Sequence, residues 1–357
     1  MKLGLVGLPM SGKTTIFNVL TGANRPTSLT APGKLDVQVA VVDVPDPRLD
    51  ALAEIFRPER KVYAKITYAD VAGLTKGISE GGLSGPFRTQ LSQMDGFLHV
   101  IRAFEDPNVP HPEETLDPQR DLEILDTEFL LADLIVVENR IKRLKEEIAR
   151  GKDRAANLKE LELFERLRAT LEAEQPLRDV DLKPEEQTAL RGYGFLTQKP
   201  KLVVLNIGEE AHETADLVHV RGRHTRVIAV RGKLEAEIGQ LDPQEAALFR
   251  EEYGIDEPAR DRVIRESYDL LQVQTFFTVL GDEVRAWPCR IGATALEAAG
   301  EIHTDIQRGF IRAEIIPWDV LVQLGSWAEA RHAGKLRLEG RDYVMQDGDV
   351  MTVRFNV

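Results

Sequence analysis

The sequence predicts an α/β fold with an inserted α-helical hairpin and a small α+β module at its C-terminal end. Short apolar strands alternate with helical patterns before residue 120 and again between residues 199 and 272. Between these two parts, apolar residues recur every three or four positions, which is the period of an amphipathic helix. After residue 272 the pattern changes to short strands and turns. A chain of 357 residues exceeds the size at which one core keeps growing, so we expect two or three domains.

The composition is that of an ordinary globular protein, with 43% hydrophobic and 29% charged residues. The net charge of −13 argues against non-specific nucleic-acid binding by the whole surface. We expect no membrane span, because no apolar run approaches about 18 residues, and no signal peptide, because the chain enters a strand directly. Cys289 is the only cysteine, which excludes an intrachain disulfide and a cysteine metal cluster. We therefore expect a reducing, cytoplasmic setting.

The first strand, residues 2–6, leads directly into a sequence that fits G-x-x-x-x-G-K-[ST]. The residues of this motif are Gly7, Leu8, Pro9, Met10, Ser11, Gly12, Lys13 and Thr14. Glycines let the backbone curl so that successive N–H groups point into one hollow of the size of an anion. Lys13 can then reach the β- and γ-phosphates, and Thr14 is placed to ligate Mg²⁺. The helix that continues from Thr15 turns its N-terminus towards the phosphates, so the motif predicts a nucleotide-phosphate site.

A second strand and a helix follow the phosphate loop. Residues 35–41 alternate between apolar and polar like a strand with one solvated face, and the turn 45–47 starts a helix. Before them, the loop 24–33 carries hydroxyl residues that could cover Mg²⁺, although a plain polar connection is the alternative. These residues are Thr27, Ser28 and Thr30.

The strand predicted over residues 62–69 ends at Asp70, and Gly73 follows. An aspartate at this end of a strand can hold the Mg²⁺ shell through water, and the Gly73 N–H can approach the γ-phosphate. D-x-x-G alone is a weak motif, but its place on the third strand after the phosphate loop favours this role. Leu74 lies where Ras-like proteins carry a glutamine that orients the attacking water. Leucine cannot bind water, so we expect slow hydrolysis or another group in that role.

A fourth strand, residues 97–103, leads into the proline-rich loop 105–118, which contains His111. A single histidine in a loop is usually only solvated. A catalytic role for His111 is the other hypothesis, because this loop follows a strand that ends near the site.

Two helical runs separated by Gly151 predict a long helical hairpin. The α/β pattern returns after it with strands 201–206 and 226–230. The hairpin is therefore an insertion within one domain and not a domain that follows it. Residues 273–357 are predicted to form a small α+β module without an obvious catalytic constellation.

These residues resemble the YchF-type (Obg-like) ATPases of the translation-factor class of P-loop NTPases, over essentially the whole chain. The similar stretches are residues 7–15, 44–50, 70–77, 298–305, 309–314 and 338–349. The resemblance implies a G domain over 1–120 and 199–272, the helical hairpin over 121–198, and a C-terminal TGS domain with a ubiquitin-like fold over 273–357. It also implies Mg²⁺-dependent nucleotide hydrolysis linked to the ribosome or another translation component. In that family a hydrophobic residue replaces the catalytic glutamine, as Leu74 does here, and a loop histidine at the place of His111 is the suggested substitute.

The base-recognition segment has N-x-x-E where Ras-like proteins carry N-K-x-D. The aspartate of N-K-x-D accepts hydrogen bonds from guanine, whereas this chain has a longer acid and no lysine to cover the base. Losing a well-matched buried polar contact costs about 1–3 kcal/mol, which is enough to remove guanine selectivity. The family's N-x-x-E variant is associated with ATP as well as GTP. The residues expected at the base are Asn206, Ile207, Glu209, Arg231 and Gly232.

Three features depart from the family pattern. Met10 replaces an asparagine that can hold a monovalent cation. The Phe-x-Thr-Ile stretch is missing between residues 24 and 35, and residues 231–233 replace a loop of small residues behind the base.

The leading hypothesis is a Mg²⁺-dependent NTPase that acts as a switch on the translation machinery. The alternatives are a nucleotide-responsive binding scaffold that hardly hydrolyses, and a P-loop kinase, for which the sequence offers no acceptor pocket or lid arginines.

Overall fold

The computed structural model describes residues 1–23, 37–71, 85–151, 153–209, 216–220 and 222–356. The chain divides into two compact units. The first unit comprises Met1–Ala40 and Thr67–Val263, and the second comprises Val41–Ile66 and Ile264–Val357. The domain bounds expected from the sequence stay a prediction.

The first unit is built on a sheet with the N-terminal strand at its centre. The first seven described strands are β1 (Lys2–Val6), β2 (Gln38–Asp43), β3 (Arg60–Val62), β4 (Lys65–Asp70), β5 (Gly96–Ala103), β6 (Lys201–Ile207) and β7 (Thr225–Val230). The sheet has the order β2-β4-β1-β5-β6-β7, and β1 runs parallel to both β4 and β5. Strands β5, β6 and β7 are also parallel to one another. Parallel strands end at one edge of a sheet, so the loops after β1, β5, β6 and β7 meet at the end of β4.

Two predicted strands differ from the observed ones. The strand expected over residues 62–69 is wrong as a single element, because β3 ends at Val62 and β4 begins only at Lys65. The strand expected over 35–41 is observed as Gln38–Asp43. In contrast, β6 is buried along its whole length. This agrees with the apolar run 202–205 at its centre, which is typical of a parallel strand covered on both faces.

Helices alternate with these strands along the chain, and two of them form the inserted hairpin. The first nine described helices are α1 (Lys13–Thr21), α2 (Pro47–Phe56), α3 (Gly85–Ser92), α4 (Pro118–Ala149), α5 (Arg154–Glu172), α6 (Pro184–Leu190), α7 (Gly232–Ile238), α8 (Pro243–Glu252) and α9 (Ala259–Leu270). Short 3₁₀ turns lie at Leu177–Asp179 and Arg191–Tyr193. Among the described helices, none has the length and apolar character that spanning a bilayer requires.

The predicted hairpin is confirmed as α4 and α5, which pack on each other. Helix α4 begins where Asp117 accepts a hydrogen bond from the Arg120 N–H at 3.0 Å and Pro118 takes the first helical position. Leu158 continues the apolar pattern in sequence but is 47% exposed. The core of the hairpin is formed mainly by Val137, Ile141, Leu144, Phe164, Leu167 and Leu171.

The second unit is the predicted α+β module, extended by residues from the first half of the chain. Its later strands are β8 (Val273–Leu280), β9 (Glu283–Arg290), β10 (Phe310–Pro317), β11 (Arg337–Glu339) and β12 (Asp349–Phe355). Its later helices are α10 (Ala295–Ile302), α11 (Thr304–Arg308), α12 (Trp318–Leu324) and α13 (Trp327–His332). The sheet order is β11-β10-β12-β8-β9-β3, so the early strand β3 adds to β9 in parallel.

The contacts of Arg48 at the start of α2 explain why this helix belongs to the second unit. Its guanidinium binds the Asp46 carboxylate with two hydrogen bonds of 2.9 and 2.8 Å and the Asp347 carboxylate with one of 2.6 Å. The same group lies over the Phe277 ring at 5.3 Å. Because the guanidinium contacts two carboxylates and an aromatic face, it links α2 to the C-terminal sheet within the second unit.

Candidate nucleotide site

The loop between β1 and α1 has the backbone of an anion cradle. A Cβ on Gly7 would lie 2.6 Å from the carbonyl oxygen of Val100, so only glycine fits there. Gly12 has a φ of +83° and is the residue immediately before α1, where it has no side chain to cap the helix. The first N–H groups of α1 therefore face the loop, where they can bind an anion.

Two further residues of this loop are constrained. Met10 has a φ of +64°, a left-handed conformation that is uncommon for a residue with a side chain. Ser11 is 3% exposed, and its Oγ has no hydrogen-bond partner among the residues that the structure describes. A buried hydroxyl without a partner fits a loop that closes around a polar ligand.

Lys13, Thr14 and Asp70 come together at the sheet edge. The Lys13 ammonium forms an ion pair with Oδ1 of Asp70, and both side chains are 11% exposed. The Thr14 hydroxyl lies 3.4 Å from Oδ2 of the same carboxylate. A carboxylate and a hydroxyl are hard oxygen donors of the kind that Mg²⁺ prefers. Thr14 and Asp70, which the sequence predicts as metal ligands, are therefore neighbours, and their oxygens suit Mg²⁺.

Asn206, near the end of β6, joins two loops. Its Nδ2 donates to the Ser11 carbonyl at 3.1 Å, and its Oδ1 accepts from the Gly232 N–H at 3.2 Å. The side chain fills the space where a Cβ on Gly12 or on Gly232 would lie. The buried amide therefore fixes the phosphate loop against the loop after β7, and both glycines are needed to admit it.

The other residues expected at the base take different positions. Glu209 forms an ion pair of 2.6 Å with Lys233, and this contact raises the pKa of the lysine. Arg231 donates to the Tyr253 carbonyl at 3.1 Å. Ile207 is 3% exposed and belongs to the core beside the sheet. The sequence placed residues 231–233 behind the base but did not indicate the pairing of Lys233 with Glu209.

Comparison with known proteins shows the family of this chain. A family model described as a 50S ribosome-binding GTPase matches residues 2–140, and a model of the YchF GTPase C-terminus, described as a protein of unknown function, matches residues 273–356. The ribosome-binding ATPase YchF of Pasteurella multocida is 43% identical over 100% of this chain and 99% of its own length. This chain belongs to the YchF family. The Bacillus subtilis relative of the same name is 41% identical, over 99% of both chains.

Other YchF relatives extend the comparison. Obg-like ATPase 1 of Oryza sativa subsp. japonica is 36% identical over 100% of this chain and 92% of its own. The structure of the Schizosaccharomyces pombe YchF GTPase superposes with a TM-score of 0.83 at 28% identity, covering 99% of this chain and 97% of that one. The predicted fold class is therefore confirmed.

His111, the histidine singled out by the YchF resemblance, is held by both of its ring nitrogens. Nε2 lies 2.8 Å from Oδ2 of Asp121, and Nδ1 accepts from the Glu113 N–H at 3.1 Å. The side chain is only 6% exposed, so the hypothesis of a merely solvated histidine is wrong. Its catalytic role stays a prediction.

Several predicted residues lie outside the described part of this YchF chain. The glycine and leucine of the D-x-x-G segment, Gly73 and Leu74, fall in 72–84. The candidate Mg²⁺-covering residues fall in 24–36; they are Thr27, Ser28 and Thr30.

Proposed function

We propose that this chain binds and hydrolyses a nucleoside triphosphate, ATP or GTP, with Mg²⁺, and that it acts as a nucleotide switch on the translation machinery. The observation that carries the proposal is the glycine-lined cradle before α1 together with Lys13, Thr14 and Asp70 at the same edge. Cradles of this kind bind phosphates through backbone N–H groups and the positive end of the helix dipole.

Each residue of the cradle has a proposed role. Residues 7–15 bind the phosphates, with the Lys13 ammonium turning from the Asp70 carboxylate to the β- and γ-oxygens. Thr14 and Asp70 would hold Mg²⁺, which supplies charge neutralisation on the phosphates when it is bound. Gly73 is proposed to meet the γ-phosphate through its N–H. The ion pair of Lys13 with Asp70 keeps each group's charge compensated before ligand arrives.

The base site is proposed to accept both purines. Asn206 aligns the loops, since its amide donates to the Ser11 carbonyl and accepts from the Gly232 N–H. The pair of Glu209 with Lys233 offers one acceptor and one donor to a base. Such a pair can meet the Watson–Crick edge of adenine or of guanine, so we expect ATP to bind at least comparably to GTP. A GTP preference above about a hundredfold, which corresponds to roughly 2.7 kcal/mol, would contradict this.

The partner is proposed to be the ribosome or another translation component. The bacterial relatives are named ribosome-binding ATPases, and the match to them extends over the whole chain. A cytoplasmic location is the corresponding expectation.

Free turnover is proposed to be slow. Leu74 cannot orient water, so an unassisted rate is expected, about 10³–10⁵-fold below that of P-loop NTPases with a completed site. The second candidate is a binding scaffold that hardly hydrolyses, which the same leucine favours. Single-turnover release of γ-phosphate separates the two.

The test of the site itself is Lys13→Ala, followed by calorimetric titration with ATP and GTP. We expect most triphosphate affinity to disappear, because Lys13 supplies the mobile positive charge on the β- and γ-phosphates. Lys65→Ala is the matched control, since Lys65 also pairs with an aspartate, Asp43 at 2.8 Å, but is 53% exposed at the other end of β4. Unchanged affinity in Lys13→Ala would refute the assigned site.

A further inference from the structure

The ring of His111 has no nitrogen left for a water molecule. Because Nδ1 accepts from the Glu113 N–H, the proton of the neutral ring is on Nε2, which donates to Asp121. In this position the imidazole can neither accept a proton from water nor orient it. A ring that leaves this position to serve hydrolysis must break both contacts.

The carboxylate that holds the ring is itself fixed. Asp121 is 2% exposed and lies in the first turn of α4, where the helix dipole favours a negative charge. Its Oδ1 accepts from Nε and Nη2 of Arg120 at 3.1 and 2.9 Å. The same guanidinium binds the Thr115 side chain and carbonyl at 2.9 and 2.7 Å. Asp121 is therefore the fixed partner in its contact with His111.

The loop before His111 is attached to the sheet. Arg102 of β5 is 4% exposed, and its guanidinium donates to the Phe104 carbonyl at 3.1 Å and to the Val109 carbonyl at 2.8 Å. His111 therefore lies between two anchored points, Val109 on one side and Thr115 on the other. The imidazole ring can leave its place only by losing its own two hydrogen bonds.

We propose that Asp121 is a positioning residue that holds His111 in a resting position, and that release of this contact limits turnover. The inference rests on the proposed NTPase function, with His111 as the group that aligns the attacking water. A hydrogen bond to a charged acceptor is about twice as strong as one to a neutral acceptor. Asp121→Asn keeps the shape of the acceptor but removes its charge, so kcat is expected to rise about five- to tenfold. KM is expected to stay unchanged, because Asp121 acts on the position of His111 and not on nucleotide binding.

The experiment measures steady-state and single-turnover hydrolysis of saturating Mg·ATP by the parent, Asp121→Asn, and the same variant combined with His111→Ala. Glu123→Gln is the matched control, because Glu123 lies in the same helix, is exposed, and accepts a hydrogen bond from the Gln119 side chain at 2.8 Å. We expect the gain in Asp121→Asn, its loss in the double variant, and no gain in Glu123→Gln. Nitrogen-15 spectra of the His111 ring report the release directly, as loss of the fixed tautomer.

A second variant covers the case in which Asp121→Asn does not fold, as judged by circular dichroism. Arg120→Ala leaves the carboxylate in place but removes its support, and a smaller rise in kcat is expected. The inference is overturned if the ring is released without a rise in kcat, if kcat falls, or if the gain survives His111→Ala. If the parent hydrolyses Mg·ATP in those cases, the proposed function still holds. Absence of hydrolysis in the parent, together with unchanged nucleotide affinity in Lys13→Ala, would refute the proposed function instead.

Discussion

Removing the side-chain amide of Asn206 should loosen the phosphate loop and lower the stability of the first unit together. Asn206 is 4% exposed and provides hydrogen bonds of 3.1 and 3.2 Å to Ser11 and Gly232. In Asn206→Ala the Ser11 carbonyl and the Gly232 N–H lose their partner at a buried position. Each unsatisfied group costs about 1–3 kcal/mol. We expect the free energy of unfolding to fall by about 2–4 kcal/mol. This decrease is smaller than the full cost of two unsatisfied groups, because water can enter the space and bind them.

The same change should weaken nucleotide binding. The Ser11 carbonyl belongs to the cradle and the Gly232 N–H to the loop proposed to bind the base, so the two parts of the proposed site lose their alignment. A loss of about 1–3 kcal/mol in binding free energy corresponds to roughly five- to 150-fold in the dissociation constant.

The assay combines urea unfolding, followed by far-ultraviolet circular dichroism and amide hydrogen exchange, with ATP calorimetry. Fluorescence is unsuitable, because Trp287, Trp318 and Trp327 all belong to the second unit. Asn108→Ala is the control, since Asn108 is exposed and a surface change of this kind stays within about 0.5 kcal/mol. If Asn206→Ala matches this control in stability and binds ATP like the parent, the bridging role of the amide is refuted.

Three further changes test separate parts of the molecule. Met10→Asn should raise the free energy of unfolding by about 0.5 kcal/mol in urea titrations, because asparagine adopts a φ near +64° more readily than methionine, and a loss of stability would contradict this. Burial lowers the pKa of Lys199 from 10.5 to about 8, so between these pH values the folded lysine is neutral while the unfolded one is protonated. The stability of the parent relative to Lys199→Met should therefore rise with pH, by up to about 1.4 kcal/mol per pH unit, and a flat difference from pH 7 to 10 would exclude the shift. Arg48→Ala should cost the second unit about 2 kcal/mol by tryptophan fluorescence, since it removes the cation from buried Asp46 and from Asp347, and an unchanged midpoint would show that the contact contributes nothing.

The sequence by itself determined the features that repeat or cluster locally. The motif from Gly7 to Thr14 follows a strand and opens a helix, and the structure has those elements at β1 and α1. The period of the apolar residues predicted the hairpin, and the α/β pattern after it predicted strand 201–206, observed as β6. These features depend on neighbours within a few positions, because the period of a helix or strand and the backbone freedom of glycine act at short range.

Only the tertiary structure decided which distant groups meet. The pairing of β3 with β9 joins residues more than two hundred positions apart, and no local pattern specifies such a partner. The role of Asn206 at the base stays a prediction, whereas its contacts with Ser11 and Gly232 depend on the order of the parallel strands. His111 reads in sequence as a loop residue, and its ring is held because α4 starts where it brings Asp121 within 2.8 Å. Side-chain contacts of this kind depend on how several elements pack at one edge of the sheet. Such packing involves residues that are distant in sequence, so no local pattern specifies it.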